Sequence, residues 1–111
     1  MNDIATHILV PPDHPSLAGH FPGHPIVPGV VLLDAVLDAI RSASNGAVRL
    51  VAIVSTKFLQ AVAPNQRVDL EIKFAPQDAG QWKARFVATS AGATVFEGSF
   101  LIASDPSGGA R

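Results

Sequence analysis

Hydrophobic and polar positions fall into three regimes along the chain. Over residues 4–10 they alternate weakly, Ile4, Thr6, Ile8 and Val10 against Ala5, His7 and Leu9, and the alternation stops at Pro11-Pro12. This predicts a short first strand with a hard end. Over residues 30–45 the spacing becomes helical. Val30, Val31, Leu32, Leu33, Val36, Leu37 and Ile40 cover nearly the whole circumference, and Asp34, Asp38, Arg41, Ser42 and Asn45 leave only a narrow polar stripe. A helix this apolar is expected to be buried, and Gly46 is placed to end it at the C′ position. Beyond Gly46 the period is two. Residues 50–63 are rich in β-branched side chains, and Val68, Leu70, Ile72 and Phe74 alternate with Asp69, Glu71 and Lys73. Trp82, Ala84, Phe86 and Ala88 then alternate with Lys83, Arg85 and Val87, and Phe96, Gly98, Phe100 and Ile102 share one face of a last strand over 94–102. The short links between these runs predict antiparallel neighbours. One long helix with about five strands predicts an α+β domain in which a curved antiparallel sheet wraps the central helix. A single domain over 1–103 and a flexible Ser/Pro/Gly-rich tail over 104–111 are expected.

Composition narrows the function. With 111 residues the chain supports one core. It is 48% hydrophobic with a mean hydropathy of +0.31, which points to an oligomer interface. A net charge of −1 without a run of one sign argues against a nucleic-acid or polybasic membrane surface. No cysteine is present, so disulfides, a thiol nucleophile and thiolate metal sites are excluded. The N-terminal residues lack a basic region followed by an apolar one, so no secretory signal is read and a cytoplasmic location is expected. The longest apolar run, 26–33, is broken by Pro28 and is too short to span a bilayer.

The chemistry concentrates where loop meets helix. Pro22, Pro25 and Pro28 stiffen a loop that carries His20 and His24, and the helix that follows carries Asp34 and Asp38 in an apolar run. An imidazole, with an ordinary pKa near ~6.5, serves as a base at neutral pH, and a carboxyl buried on an apolar helix is pushed toward its proton-donating form. Such a pair fits β-elimination, hydration or proton shuttling beside a thioester. Gly29, at a helix N-terminus, offers an N–H to a developing oxyanion. Spacing alone leaves open that His20 caps a loop and Asp34 is an ordinary helix-surface residue.

The full string GHFPGHPIVPGVVLLDAV over 19–36 closely resembles the motif of the 3-hydroxyacyl-(acyl carrier protein) dehydratases, approximately GHFPGxPxxPGVLxxEA, which belong to the hotdog-fold superfamily. Lys57-Phe58 followed by Ala61-Val62-Ala63-Pro64 looks like the family's KFRxPVxPGD stretch. The resemblance implies a hotdog fold and places the catalytic histidine on His20, the catalytic carboxylate fourteen positions later on Asp34, and the thioester-facing amide on Gly29 with Val30 beside it. It implies that Phe21, Pro22, Gly23, His24 and Pro28 form the substrate loop, His24 as a structural or lining residue. It also implies a homodimer in which the histidine of one subunit works with the carboxylate of the other. The implied activity is dehydration of 3-hydroxyacyl thioesters, held on the phosphopantetheine arm of acyl carrier protein, to trans-2-enoyl thioesters without metal or redox cofactor. Asp34 is a departure, since the common branch has Glu there. Asp is the choice of the branch that also isomerises enoyl products and of short dehydratase-like proteins in pigment and aryl polyene pathways. An accessory pathway is therefore expected rather than housekeeping fatty acid synthesis.

Other features have plainer readings. His7 and His14 read as surface or loop residues and form no metal-ligand spacing with the other histidines. Asp38 and Arg41 are spaced to pair on the helix face. Phe58, Phe74, Trp82, Phe86, Phe96 and Phe100 read as core or tunnel wall. Lys57, Arg67, Lys83 and Arg85 are candidates to receive the acidic helix of a carrier protein, or are solvated strand faces. Two alternatives to dehydration stand: thioester hydrolysis with Asp34 activating water, and a silent acyl-binding hotdog subunit.

Overall fold

The computed structural model describes residues 1–14 and 26–105. Its elements follow the order β1 (Ile4–Ile8), α1 (Gly29–Ala43), β2 (Val48–Phe58), β3 (Val68–Pro76), a 3-10 turn (Asp78–Gly80), β4 (Gln81–Ser90) and β5 (Ala93–Ser104). The strands form one antiparallel sheet in the order β1-β3-β4-β5-β2. β3, β4 and β5 are consecutive hairpin neighbours, as their short links require. β2 departs from that rule, pairing with β5 and not with β3, the next strand in sequence. The chain leaves β1 at one edge of the sheet, runs through α1, and returns as β2 at the other edge.

Alternation builds the core. Val68, Leu70 and Ile72 of β3 and Ala84, Phe86 and Ala88 of β4 are buried, while Asp69, Glu71, Lys73 and Arg85 point to solvent. Against that face α1 lays Leu32, Val36, Leu37 and Ile40, each contributing about 1.5–3 kcal/mol by burial. Phe86 anchors the centre, its ring centroid 4.8 Å from that of Phe100 and 6.1 Å from that of Phe96. The helix is thus buried on one side only. The expectation of burial all round fails within a single chain, because one sheet covers one face and leaves Val30 73% exposed on the other.

Helix termination also differs from expectation. Asn45, not Gly46, occupies C′ with φ 56°, and Gly46 follows at φ 75°. The Gly46 N–H bonds the Arg41 carbonyl at 2.7 Å, closing the helix with the six-to-one bond of a Schellman motif. Asn tolerates the left-handed conformation, so the glycine is displaced by one residue.

Three boundaries shift. β1 ends at Ile8, although Val10 remains buried and its carbonyl accepts the Asn65 N–H at 2.6 Å. β2 ends at Phe58, after which the N–H groups of Leu59 and Gln60 converge on the Val95 carbonyl at 2.8 and 3.1 Å. β5 runs through Ser104, and the Asp105 N–H bonds Ala47 O at 2.8 Å, so the chain is still tied where the tail was expected to begin. Residues 106–111 lie outside the described residues.

β2 is the unusual strand. Every residue from 51 to 60 is exposed, including Val51, Ile53, Val54, Phe58 and Leu59, and two register shifts bend the strand along β5. Gly98 of β5 permits that bend. It faces Thr56, and a Cβ there would run into the Ser55 carbonyl and come within 2.8 Å of the Phe86 ring. Gly98→Ala is expected to cost about 1–3 kcal/mol through overpacking, read as a thermal midpoint lowered by several degrees. An unchanged midpoint would show that β2 yields without cost.

Candidate active site at the start of the helix

His20, Phe21, Pro22, Gly23 and His24 lie outside the described residues. The chain is described again from Ile26, and its path into α1 is fixed by two contacts. The Val27 N–H bonds the Val62 carbonyl at 2.8 Å, with both side chains buried. Pro28 then serves as N-cap at φ −59°, ψ 145°, and its carbonyl accepts the N–H groups of Val31 at 3.0 Å and Leu32 at 3.3 Å. Gly29 and Val30 occupy first-turn positions whose N–H groups no intrahelical carbonyl can reach. Pro28 has no polar side chain to cap this end, and no acidic residue sits in the first turn. The helix therefore presents these first-turn N–H groups and the positive end of its dipole together.

Gly29 lies under an aromatic ring. A Cβ added there would stand 2.8 Å from Cζ of Phe58 and 3.0 Å from Cε2. Ile26, Pro28, Leu32, Phe58, Leu59 and Val62 line an open groove of about 580 Å³ beside the helix start, with no charged side chain in its wall among the described residues. The sequence placed Phe58 only among core or tunnel residues. Its contact with Gly29 joins positions 29 apart in the chain, and the Lys57-Phe58 match was the one signal that could have linked them.

Asp34 is exposed, as are Val30, Asp38 and Ser42, which follow one another at helical spacing on the side of α1 away from the core. The expected burial of Asp34 is not met within one chain, for the reason that leaves Val30 bare. Among the described residues the one ion pair joins Arg67 and Asp69 at 3.2 Å, so Asp38 and Arg41 do not pair.

The four basic candidates separate. Lys57, Lys83 and Arg85 line one groove of about 810 Å³ on the sheet face opposite the core, together with Glu97 and the Ser55–Ser99 hydroxyl pair at 3.1 Å. Lys57 lies directly across the ladder from Glu97. Arg67 sits at the β1–β3 edge with Asp69 and does not join them. No helix among the described residues is long and apolar enough to cross a membrane.

Known proteins resemble this chain in sequence and in fold. Residues 1–99 match the family model ApeI-like, described as ApeI dehydratase. The 3-hydroxyacyl-[acyl-carrier-protein] dehydratase FabZ of Myxococcus xanthus is 35% identical over 98 residues, covering 80% of this chain and 64% of that protein. FabZ of Roseiflexus castenholzii is 34% identical over 102 residues, covering 86% and 71%. The chain thus spans somewhat under two thirds of the length of the first of these relatives. Among solved structures, the dehydratase heterocomplex ApeI:P from Xenorhabdus doucetiae superposes with a TM-score of 0.71 at 20% identity, covering 91% of this chain and 87% of that one. The fluoroacetyl-CoA thioesterase FlK superposes with a TM-score of 0.72 at 15% identity, covering 93% and 84%. At such identities these two likenesses speak for the fold alone, and the fold is the expected hotdog. Helix, sheet order and a family match running from the first residue to the ninety-ninth lead to one conclusion: the chain belongs to the ApeI-like dehydratase family.

Proposed function

We propose that the protein is a cytoplasmic dehydratase that removes water from 3-hydroxyacyl thioesters carried by an acyl carrier protein, in an accessory pathway of the aryl polyene or pigment kind. The observation that carries this reading is the helix start. Gly29 and Val30 place first-turn N–H groups beside an apolar groove, on the same helix as Asp34 and within the stretch that matches the dehydratase family. In the proposed reaction the thioester carbonyl accepts the Gly29 N–H, which stabilises the enolate that forms as His20 takes the C2 proton. The C3–O bond breaks as Asp34 gives its proton to the departing hydroxyl, which leaves as water. One proton is taken and one given, and no electron is transferred, so the side chains suffice without metal or redox cofactor.

The reading requires a second chain. A carboxyl that is to give up a proton at neutral pH needs desolvation, and Asp34 is exposed in the single chain. The edge strand β2, which exposes Val51, Ile53 and Val54, supplies the means. An unpaired edge of this kind invites a second strand, and a second copy docked there completes a homodimer in which Asp34 of the partner subunit serves His20. The carrier protein is proposed to approach Lys57, Lys83 and Arg85 through its acidic helix.

Mass spectrometry of a 3-hydroxyacyl carrier protein incubated with the enzyme, run in parallel with the reverse reaction on the enoyl form, tests the function. Loss and gain of water are expected. Free acid would make it a thioesterase, and binding without turnover would leave a silent acyl-binding subunit. Reversing Lys83 and Arg85 to Glu is expected to raise KM for the carrier-bound substrate about tenfold. The rate on a small thioester mimic should stay unchanged, and equal effects on both substrates would place docking elsewhere.

A further inference from the structure

We infer that Phe58 is a specificity-determining side chain, setting how much bulk is accepted on the acyl carbons next to the thioester carbonyl. This rests on the dehydratase reading above. The ring stands against Gly29 so closely that a methyl group there would meet Cζ at 2.8 Å, Cε2 at 3.0 Å and Cε1 at 3.2 Å. A carbonyl oxygen held by the N–H groups at this helix start therefore has the ring as its neighbour, and the carbons attached to that carbonyl must pass its edge.

The ring is anchored on one side and open on the other. Phe58 pairs across the ladder with Phe96, their centroids 5.9 Å apart and their planes tilted by 39°. Phe96 is 1% exposed and Phe58 is 47% exposed. A ring that served the core alone would be buried like its partner. The free edge of Phe58 instead faces the groove of about 580 Å³ walled by Ile26, Leu32, Leu59 and Val62, a size and lining suited to hydrocarbon. Phe58 is the largest side chain in that wall, so its removal enlarges the space nearest the reacting carbons.

The test compares wild type, Phe58→Leu and Phe58→Ala on carrier-bound 3-hydroxybutanoyl, 3-hydroxyoctanoyl and 3-hydroxy-3-phenylpropanoyl thioesters. Binding of the matching enoyl thioesters is measured calorimetrically in parallel. The kcat/KM ratio of the phenyl to the butanoyl substrate is expected to rise about tenfold in Phe58→Ala, and less in Phe58→Leu, which keeps most of the packing. The binding ratio should move the same way. Equal losses on all three substrates in both variants, or unchanged ratios in a folded Phe58→Leu and Phe58→Ala, would overturn the inference. If wild type removes no water but the binding ratios still shift, the dehydratase reading fails while Phe58 stands as the selector.

Discussion

Asp34→Asn and His20→Ala are each expected to slow dehydration of a 3-hydroxyacyl carrier protein by about 10²- to 10⁴-fold, the range for losing a positioned acid or base. Asn preserves the shape of Asp34 but cannot give the departing hydroxyl a proton, so the loss should fall on kcat, with KM little changed. Stability should not move with it, since Asn keeps the size and shape of Asp34 and the thermal midpoint is expected to stay nearly unaltered. Formation of the enoyl thioester gives the rate, and a scan of both variants gives the midpoint. Full activity in Asp34→Asn would remove this carboxylate from the reaction.

Ile53→Glu is expected to separate the two chains and abolish turnover with them. Ile53 is 52% exposed on β2 beside Val54 at 53%, in a stretch where every residue from 51 to 60 is exposed. Twofold symmetry introduces the charge twice, and burying each without a partner costs several kcal/mol. The dimer should weaken about 10³-fold or more, giving monomers at micromolar concentration in sedimentation velocity. Because β2 contributes no buried side chain beyond Val48 to its own core, the monomer should remain folded by circular dichroism. A stable, active Ile53→Glu dimer would place the contact on another surface.

Much of the fold was legible because local period decides it. The alternation around Val68, Leu70 and Ile72 requires a strand with one buried face, and the helical spacing from Val30 to Ile40 places α1 within a residue or two of its observed bounds. Strand order was not legible in the same way. Nothing local in β2 announces that Phe58 will lie beside Phe96 and not beside the strand that follows it. Contacts between distant segments, such as the Phe58 ring over Gly29 or the Val27–Val62 hydrogen bond, are set by tertiary packing. The exposed stripe through Val30 and Asp34 was misread for a related reason. Residue composition records that an apolar surface becomes covered, but not whether its own sheet or a second chain covers it. The motif carried the functional reading further than spacing could, since it gave His20, Gly29 and Asp34 roles at one site, while Phe58 was read only as core or tunnel wall.

Mixing two dead variants tests the shared site most directly. His20→Ala and Asp34→Asn chains, each inactive alone, are combined in equal amounts under conditions that let dimers exchange, and water removal from a 3-hydroxyacyl carrier protein is followed by mass spectrometry. If each site takes His20 from one chain and Asp34 from the other, half the dimers are mixed and each mixed dimer carries one intact site. Activity should then return to about a quarter of the wild-type value. A mixture of exchanged dimers as inactive as its components would contradict a site built from two chains, and release of free acid in place of water would contradict dehydration itself.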